Sequence, residues 1–513
     1  MPGDKLHIST QWRELALRHG ERAAIVDDGG GLSYRQLHSR IVRVGNALLG
    51  LGLAKGDRIA LLVPDIREYL EADYGIMAAG LVRVPLDPRL TRDETTALLR
   101  FAGARALIGH ASFVDKLDGL AGDVDSLEHV ISIGAGRGLD YEMLLQGACE
   151  RPLPDGEGED LASLNFSGGT TGAPKAAMLR HRNLVTVARN TIRGFSIGSE
   201  CTFLNVRPLW PIAQVILMSH LFAGATVVLG RFDPDRLTET IARTGATRTS
   251  LVPTQLVRWL DRLQPGERAL DRLQAIYVGG SRIPPAIFER ALDLIGPKIG
   301  VLYGLTEAPV TCYLPPQCLA AGEQRRKLMH CVGRALAQYE LRIASADAPL
   351  SSGQSGEVLI RGGNVMAGYW HDPPATQAAL CDGWLHTGDV GELDASGNLS
   401  IIGRHKEVIR SGSSTIIPKE VEDVLALHPA VAEVAVIGLP DPQWGEAVTA
   451  FVVKRPGISA SEHDLVEHCR GRLAGYKKPR SVRFVPSLPR SHYGKVLRAQ
   501  LIAQAATCAV TPH

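Results

Sequence analysis

Short apolar runs alternate with amphipathic stretches through the first four hundred residues of the chain. RIALLVP (58–64), TVVLG (226–230), TSLVP (249–253) and AIYVGG (275–280) read as strands bounded by turn residues. Between such runs, SYRQLHSRIVRVGNALLGLG (33–52) sets apolar residues three and four apart, the spacing of a helix packed on a sheet. The alternation predicts an α/β fold with helices layered on mixed or parallel sheets. VILMSHLFAGATVVLG (215–230) is too short to span a bilayer and holds His220 near its centre. It is read as a buried helix-to-strand passage.

Near residue 390 the texture changes to polar hairpin material, with Asp394 to Gly397 as a tight turn between two short strands. A boundary is expected near Gly403 to Lys406. Beyond it, EVAVIGLP (433–440), TAFVVK (449–454) and SVRFVP (481–486) are strand candidates. SEHDLVEHCRGRL (461–473) is a helix candidate that opens on a capping Ser461. The expected organisation is a large N-terminal domain over residues 1–403 and a small α+β lid over 404–513. Internal repeats and low-complexity tracts are not evident.

Composition narrows the class. The 513 residues allow a large core and at least two domains, with 45% hydrophobic and 21% charged residues, as in a folded globular protein. Lys and Arg total 56 against 54 Asp and Glu, and a net charge of +2 is too small to draw in nucleic acid. The eight cysteines, among them Cys149, Cys201, Cys312, Cys318 and Cys331, form no C-x-x-C pair. That argues against a zinc ribbon or dithiol site and for reduced thiols of a cytoplasmic protein. The opening MPGDKLHISTQWREL carries charges where a secretory signal needs an apolar run.

Chemistry enters at Asn165-Phe-Ser-Gly-Gly-Thr-Thr-Gly-Ala-Pro-Lys175. Glycines free the backbone to wrap an anion, while hydroxyls and a Lys supply donors, as a polyphosphate requires. The spacing is not that of a Walker loop. Ser167, Gly168, Gly169, Thr170, Thr171, Gly172 and Lys175 resemble the SGTTGxPKG loop of the adenylate-forming superfamily, which includes acyl-CoA synthetases, luciferases and peptide-synthetase adenylation domains. Tyr303-Gly304-Leu-Thr306-Glu307 is similar to that family's YGxTE, Gly383 to Asp389 to its GWxxTGD, and Pro489 to Lys495 to its LPRTxxGK.

The resemblance implies roles for these residues. Thr306 and Glu307 would face the phosphates, with Glu307 the magnesium candidate. Asp389 and Arg404 would reach the ribose, and Gly279, Gly280, Tyr303 and Gly304 would border the nucleotide. Lys495 would bind both the attacking carboxylate and the α-phosphate. The family's alternating mechanism would turn the lid about Lys406 after adenylation and bring in a loop at Arg410, Gly412, Ser413, Ser414 and Thr415. Carboxylate and ATP repel each other, so Lys495 and a metal on Glu307 would bring them together.

The chain departs from the family pattern at three places. Pro208-Leu-Trp210-Pro211-Ile212 lacks the His that often follows the aromatic there, and Pro211 takes its place. With Ile212 and Val278, Trp210 is expected to line an apolar acid pocket. Ser413-Ser-Thr415 replaces a common Gly-Glu-Asn, and is expected to unbalance the two half-reactions. Ala176 replaces the usual Gly after the phosphate-loop Lys. The sequence reading is thus an acyl-CoA ligase for a hydrophobic carboxylic acid, using ATP, magnesium and coenzyme A. The alternatives are delivery of acyl-AMP to a carrier-protein thiol and a nucleotide-binding homologue without turnover. A homo-oligomer is left open.

Overall fold

Strands that are apolar on both faces are stable only where helices cover both sides, and two such sheets lie in the large N-terminal part of the chain. The computed structural model describes residues 6–136, 138–167, 175–210, 214–264, 266–319, 322–345, 348–404, 407–411, 414–490 and 496–508. In the nine-stranded sheet, six parallel strands run in the order Ala23–Asp27, Thr226–Leu229, Thr202–Asn205, Arg248–Leu251, Ala275–Val278 and Ile299–Tyr303. Antiparallel strands flank this set on either side. The seven-stranded sheet is parallel except where Leu161–Ser167 pairs with Lys175–Arg180.

The predicted helix spans Tyr34–Gly50 and starts at a capping box in which Ser33 and Gln36 each accept the other's backbone N–H. It buries Tyr34, Leu37, Ile41, Val44 and Leu48, the three-and-four spacing read from the sequence. The apolar run near 220 also folds as expected, as helix Gln214–Phe222 followed by strand Thr226–Leu229. His220 is fully buried there and stacks on Phe203 with ring centroids 4.2 Å apart. Its Nδ1–H donates to the Ile216 carbonyl, and burial lowers its pKa to about 3, so it stays neutral in the core. Among the described residues no helix is long and apolar enough to cross a membrane.

A third, antiparallel sheet contains Tyr339–Ser345, Gly356–Gly362, Trp384–Leu393 and Leu399–Arg404. Its last hairpin turns at Asp394, whose Oδ1 accepts from the amides of Ser396 and Asn398, with Gly397 at φ +79°. The first of its strands, at ten residues, is longer than the short strand expected. Arg404 ends this sheet, paired with Asp389, and the next sheet begins at Ile409.

The small C-terminal part is α+β. Val431–Asp441 and Gly445–Lys454 pair antiparallel at its centre, and Ser481–Phe484 adds in parallel. Helix Glu462–Cys469 starts at Ser461, which forms a capping box with Asp464. Arg282, on the loop after Ala275–Val278, reaches this part and donates to Asp423 at 2.6 Å.

One buried ion pair connects this framework to the glycine-rich segment. Arg83 and Asp73 are both fully buried and meet at 2.5 Å. Arg83 Nε also donates to Ser163, on the strand that leads into that segment. Removing one member strands a charge in the core, so Asp73→Ala should destabilise the protein by about 3 to 5 kcal/mol. Chemical denaturation would read this as a lowered midpoint, and Arg83→Met added to Asp73→Ala should recover part of the loss. An unshifted midpoint in the single variant would contradict it.

Candidate active site

Parallel α/β sheets expose ligand sites beyond the carboxyl ends of their strands, and two of the glycine-containing motifs follow such ends here. Strand Ala275–Val278 leads into Gly279 and Gly280, and strand Ile299–Tyr303 leads into Gly304. Antiparallel Leu161–Ser167 and Lys175–Arg180 place Ser167 opposite Lys175 in register. Residues 168–174, which include Gly168, Gly169, Thr170, Thr171 and Gly172, lie outside the described residues.

Asp389 is held by two side-chain donors. It is buried, Tyr303 Oη donates to its Oδ2 at 2.8 Å, and Arg404 Nε donates to its Oδ1 at 2.7 Å. Burial, and then the adjacent Asp389 charge, push the Tyr303 phenol well above its ordinary pKa, so it remains a donor. The turn before Asp389 is also held. Glu357 accepts from His386 Nδ1 and from the Gly388 amide, each at 2.9 Å, and Gly388 adopts φ +69°. A carboxylate fixed by charged and buried donors, with strands behind it, is suited to accepting hydroxyl groups of a ligand.

Thr306 and Glu307 are half-buried on the loop that joins Tyr303 to Cys312. The loop closes on itself through Leu305 and Ala308, and Val310 is held at φ +46°. Such a value is an outlier for a β-branched residue and marks a locally overdetermined backbone. Segment Gly363 to Trp370 braces the loop from outside. Asn364 Nδ2 donates to Thr311 Oγ1, Met366 N donates to the Glu307 carbonyl, and Tyr369 Oη donates to Glu307 Oε1 at 2.8 Å. Lys175 Nζ lies over the Tyr369 ring, 5.1 Å from its centroid.

Residues 12–370 match the AMP-binding enzyme family model, and residues 420–495 match the AMP-binding enzyme C-terminal domain. The chain belongs to the AMP-binding enzyme family. A feruloyl-CoA synthase from Amycolatopsis is 33% identical over 500 residues, covering 96% of this chain and 97% of the relative. Indoleacetate–CoA ligase from Aromatoleum aromaticum is 34% identical over 509 residues, covering 97% of both. The crystal structure of ATP-bound MatB from Rhodopseudomonas palustris aligns with TM-score 0.89 at 28% identity, over 97% of this chain and 98% of that one. The protein is accordingly an AMP-forming enzyme of the acid–thiol ligase class.

The motif residues do not all meet. Tyr303, Asp389 and Arg404 form one bonded cluster, and Glu307 and Lys175 share Tyr369. Lys406, Lys495, Pro211, Ile212, Gly412 and Ser413 lie outside the described residues. Arg410 is exposed on strand Ile409–Ser411, which pairs with Ser414–Ile416, so the backbones of Arg410 and Thr415 are partners in register. Val278 is fully buried in the core cluster that holds Leu256 and Phe288, whereas Trp210 belongs to the cluster that holds Tyr277. Trp210 is buried within that apolar cluster, with the Arg89 guanidinium over its ring at 5.2 Å, and Asp65 accepts from the neighbouring Leu209 amide at 2.7 Å.

Sequence reading missed Tyr369 and Glu357. Their partners are distant in the chain, and a Tyr after Ala-Gly or a Glu within a strand carries no local signal of such contacts. Gly304, by contrast, was singled out, and its environment explains the residue type. A Cβ there would stand 2.5 Å from the Val310 amide nitrogen and 3.1 Å from the Ala308 carbonyl oxygen. Both neighbours are backbone, so Gly304→Ala should shift the loop and destabilise the protein by about 1 to 3 kcal/mol. A denaturation midpoint equal to the parent's would show that the loop yields freely.

Proposed function

We propose that this enzyme activates a hydrophobic carboxylic acid with ATP and passes the acyl group to the thiol of coenzyme A. The observation that carries the reading is the Asp389 carboxylate fixed between Tyr303 and Arg404 at the mouth of the parallel sheet. In this reading Asp389 accepts from the ribose hydroxyls, assisted by Arg404. Gly279, Gly280, Tyr303 and Gly304 border the nucleotide, and residues Ser167 to Gly172 with Lys175 hold the polyphosphate. Thr306 and Glu307 face the phosphates.

Glu307 is the residue that would hold magnesium. Its Oε1 accepts from Tyr369, its Oε2 has no protein donor among the described residues, and its side chain is half-exposed. One carboxylate oxygen together with substrate phosphates suits that hard cation. When bound, the metal would offset the polyphosphate charge. Lys495 brings the acid carboxylate to ATP, and a carboxylate oxygen attacks the α-phosphorus while its bond to pyrophosphate breaks. The CoA thiol then gives up its proton to solvent as its sulfur attacks the acyl carbon, the bond from that carbon to the AMP oxygen breaks, and AMP leaves as the phosphate anion.

The lid, taken as residues 404–513, turns about Lys406 between these steps in the reading. Its loop at Arg410, Gly412, Ser413, Ser414 and Thr415 serves thioester formation and sets the balance of the half-reactions. Feruloyl-CoA synthase and indoleacetate–CoA ligase, by their names, handle aromatic acids, which supports a hydrophobic acid here. The reading places the enzyme in the cytoplasm.

Lys495→Ala should depress acyl-adenylate formation by about two to four orders of magnitude while leaving conversion of supplied acyl-AMP to thioester much less affected. Pyrophosphate exchange and single-turnover transfer to CoA measure the two steps separately. Equal losses in both would refute the role of Lys495. A panel of acids with ATP and CoA, read by mass, should favour bulky or long apolar acids over acetate and amino acids, since each buried methylene contributes about 0.8 kcal/mol. Acetate as the best substrate by kcat/KM would overturn the pocket assignment.

A further inference from the structure

Tyr369 stands where the strand after the glycine-rich segment meets the loop that carries Glu307. Its backbone is fixed from both sides. It faces Ala177 across an antiparallel bridge, flanked by bonds from Met178 N to the Gly368 carbonyl and from Trp370 N to the Ala176 carbonyl. Its own amide donates to Thr376 Oγ1 at 2.8 Å. The ring therefore has little freedom to move away from its two charged neighbours.

Those neighbours carry opposite charges and come from separate segments. The hydroxyl donates to Glu307 Oε1 at 2.8 Å, and the ring face receives the Lys175 ammonium at 5.1 Å from its centroid. A hydrogen bond to one carboxylate oxygen orients the carboxylate and leaves the other oxygen for a cation. A ring face under an ammonium attracts that charge through the ring quadrupole. The second polar tie of the same segment, Met366 N to the Glu307 carbonyl, fixes the backbone of the same residue.

We propose that Tyr369 is a positioning residue for adenylation, which aims Glu307 at the metal and Lys175 at the polyphosphate. The inference rests on the roles of Glu307 and Lys175 in the preceding reading. It extends that reading to a residue that needs no contact with substrate. The phenol acts through its hydroxyl on the acidic side and through its ring on the basic side, so two substitutions separate the functions. Tyr369→Phe removes the first and keeps the second. Tyr369→Leu removes both.

Calorimetric titration of the whole enzyme with ATP, in EDTA and in magnesium chloride, provides the test. The parent should bind ATP more tightly with magnesium than without. Tyr369→Phe should shrink that ratio by about tenfold, the scale of a lost charge-assisted hydrogen bond, while affinity in EDTA stays within about twofold. Tyr369→Leu should in addition weaken binding in EDTA by about threefold, the scale of an exposed cation–π contact. Thermal unfolding of both variants near the parent's midpoint would separate positioning from folding, and Phe, which retains the ring, is the variant least able to disturb packing. An unchanged magnesium ratio in Tyr369→Phe overturns the proposal. Glu307→Gln distinguishes the two levels of inference. If it leaves the magnesium ratio intact, the metal role of Glu307 fails and the proposal falls with it. If it abolishes the ratio while Tyr369→Phe does not change it, only the role of Tyr369 fails.

Discussion

The backbone of Gly363 to Trp370 has to be satisfied from two directions at once, and the active-site geometry depends on that requirement. On one side, Ala367, Gly368 and Trp370 bond to Ala176 and Met178 of the strand that begins at Lys175. On the other, the Met366 amide donates to the Glu307 carbonyl, and the Asn364 side chain adds a bond to Thr311 Oγ1. Asn183, at the start of the next helix, closes the arrangement by donating to the carbonyls of Gly363 and Val365. Buried backbone polar groups left without partners are strongly disfavoured, so displacing this segment would break bonds on both sides. Two loops distant in the chain, one carrying Lys175 and one carrying Glu307, are thereby held at a fixed separation, as the proposed polyphosphate site requires.

Charge is handled by the same logic of multiple donors. Arg83 is fully buried, yet it meets Asp73, Ser163 and Asn165, so its guanidinium is not left without acceptors. Asp389 is buried under Tyr303 and half-exposed Arg404, which favours one orientation of the carboxylate before any ligand arrives. Orientation of this kind limits the reorganisation that binding or reaction would otherwise demand. The neutral His220 and the protonated Tyr303 show the converse, since burial suppresses whichever form would carry an unmatched charge.

The large and small parts of the chain meet through polar contacts of a different character. Arg282 donates to Asp423, which also pairs with Lys419, and to His330, so part of the connection is a short chain of charged and polar groups at half-exposed positions. Half-exposed ion pairs are weak, and they can be exchanged without opening a core. Among the described residues, the hydrophobic clusters of the small part contain no residue of the large part. That separation is compatible with the lid turning as the proposed function requires.

Much of this architecture is written locally. The helix at Tyr34–Gly50, the helix-to-strand passage around His220, the Asp394 hairpin and the Ser461 cap each follow from residues within a few positions of one another. The periods of 3.6 and 2, and the special backbone of Gly and Asp turns, are properties of neighbours in the chain. The motifs around Lys175, Tyr303 and Asp389 were legible for the same reason, because each is a contiguous string. Tertiary structure alone decided which face each strand residue presents and which distant residues meet. It buried Val278 away from the cluster that holds Trp210, laid Arg89 over Trp210, and put Tyr369 between Lys175 and Glu307. Tyr369 and Glu307 are 62 positions apart, and Glu357 and Gly388 are 31 apart. Contacts at such separations depend on sheet order and on the register of each strand, a long-range outcome of packing that short-range periodicity does not specify.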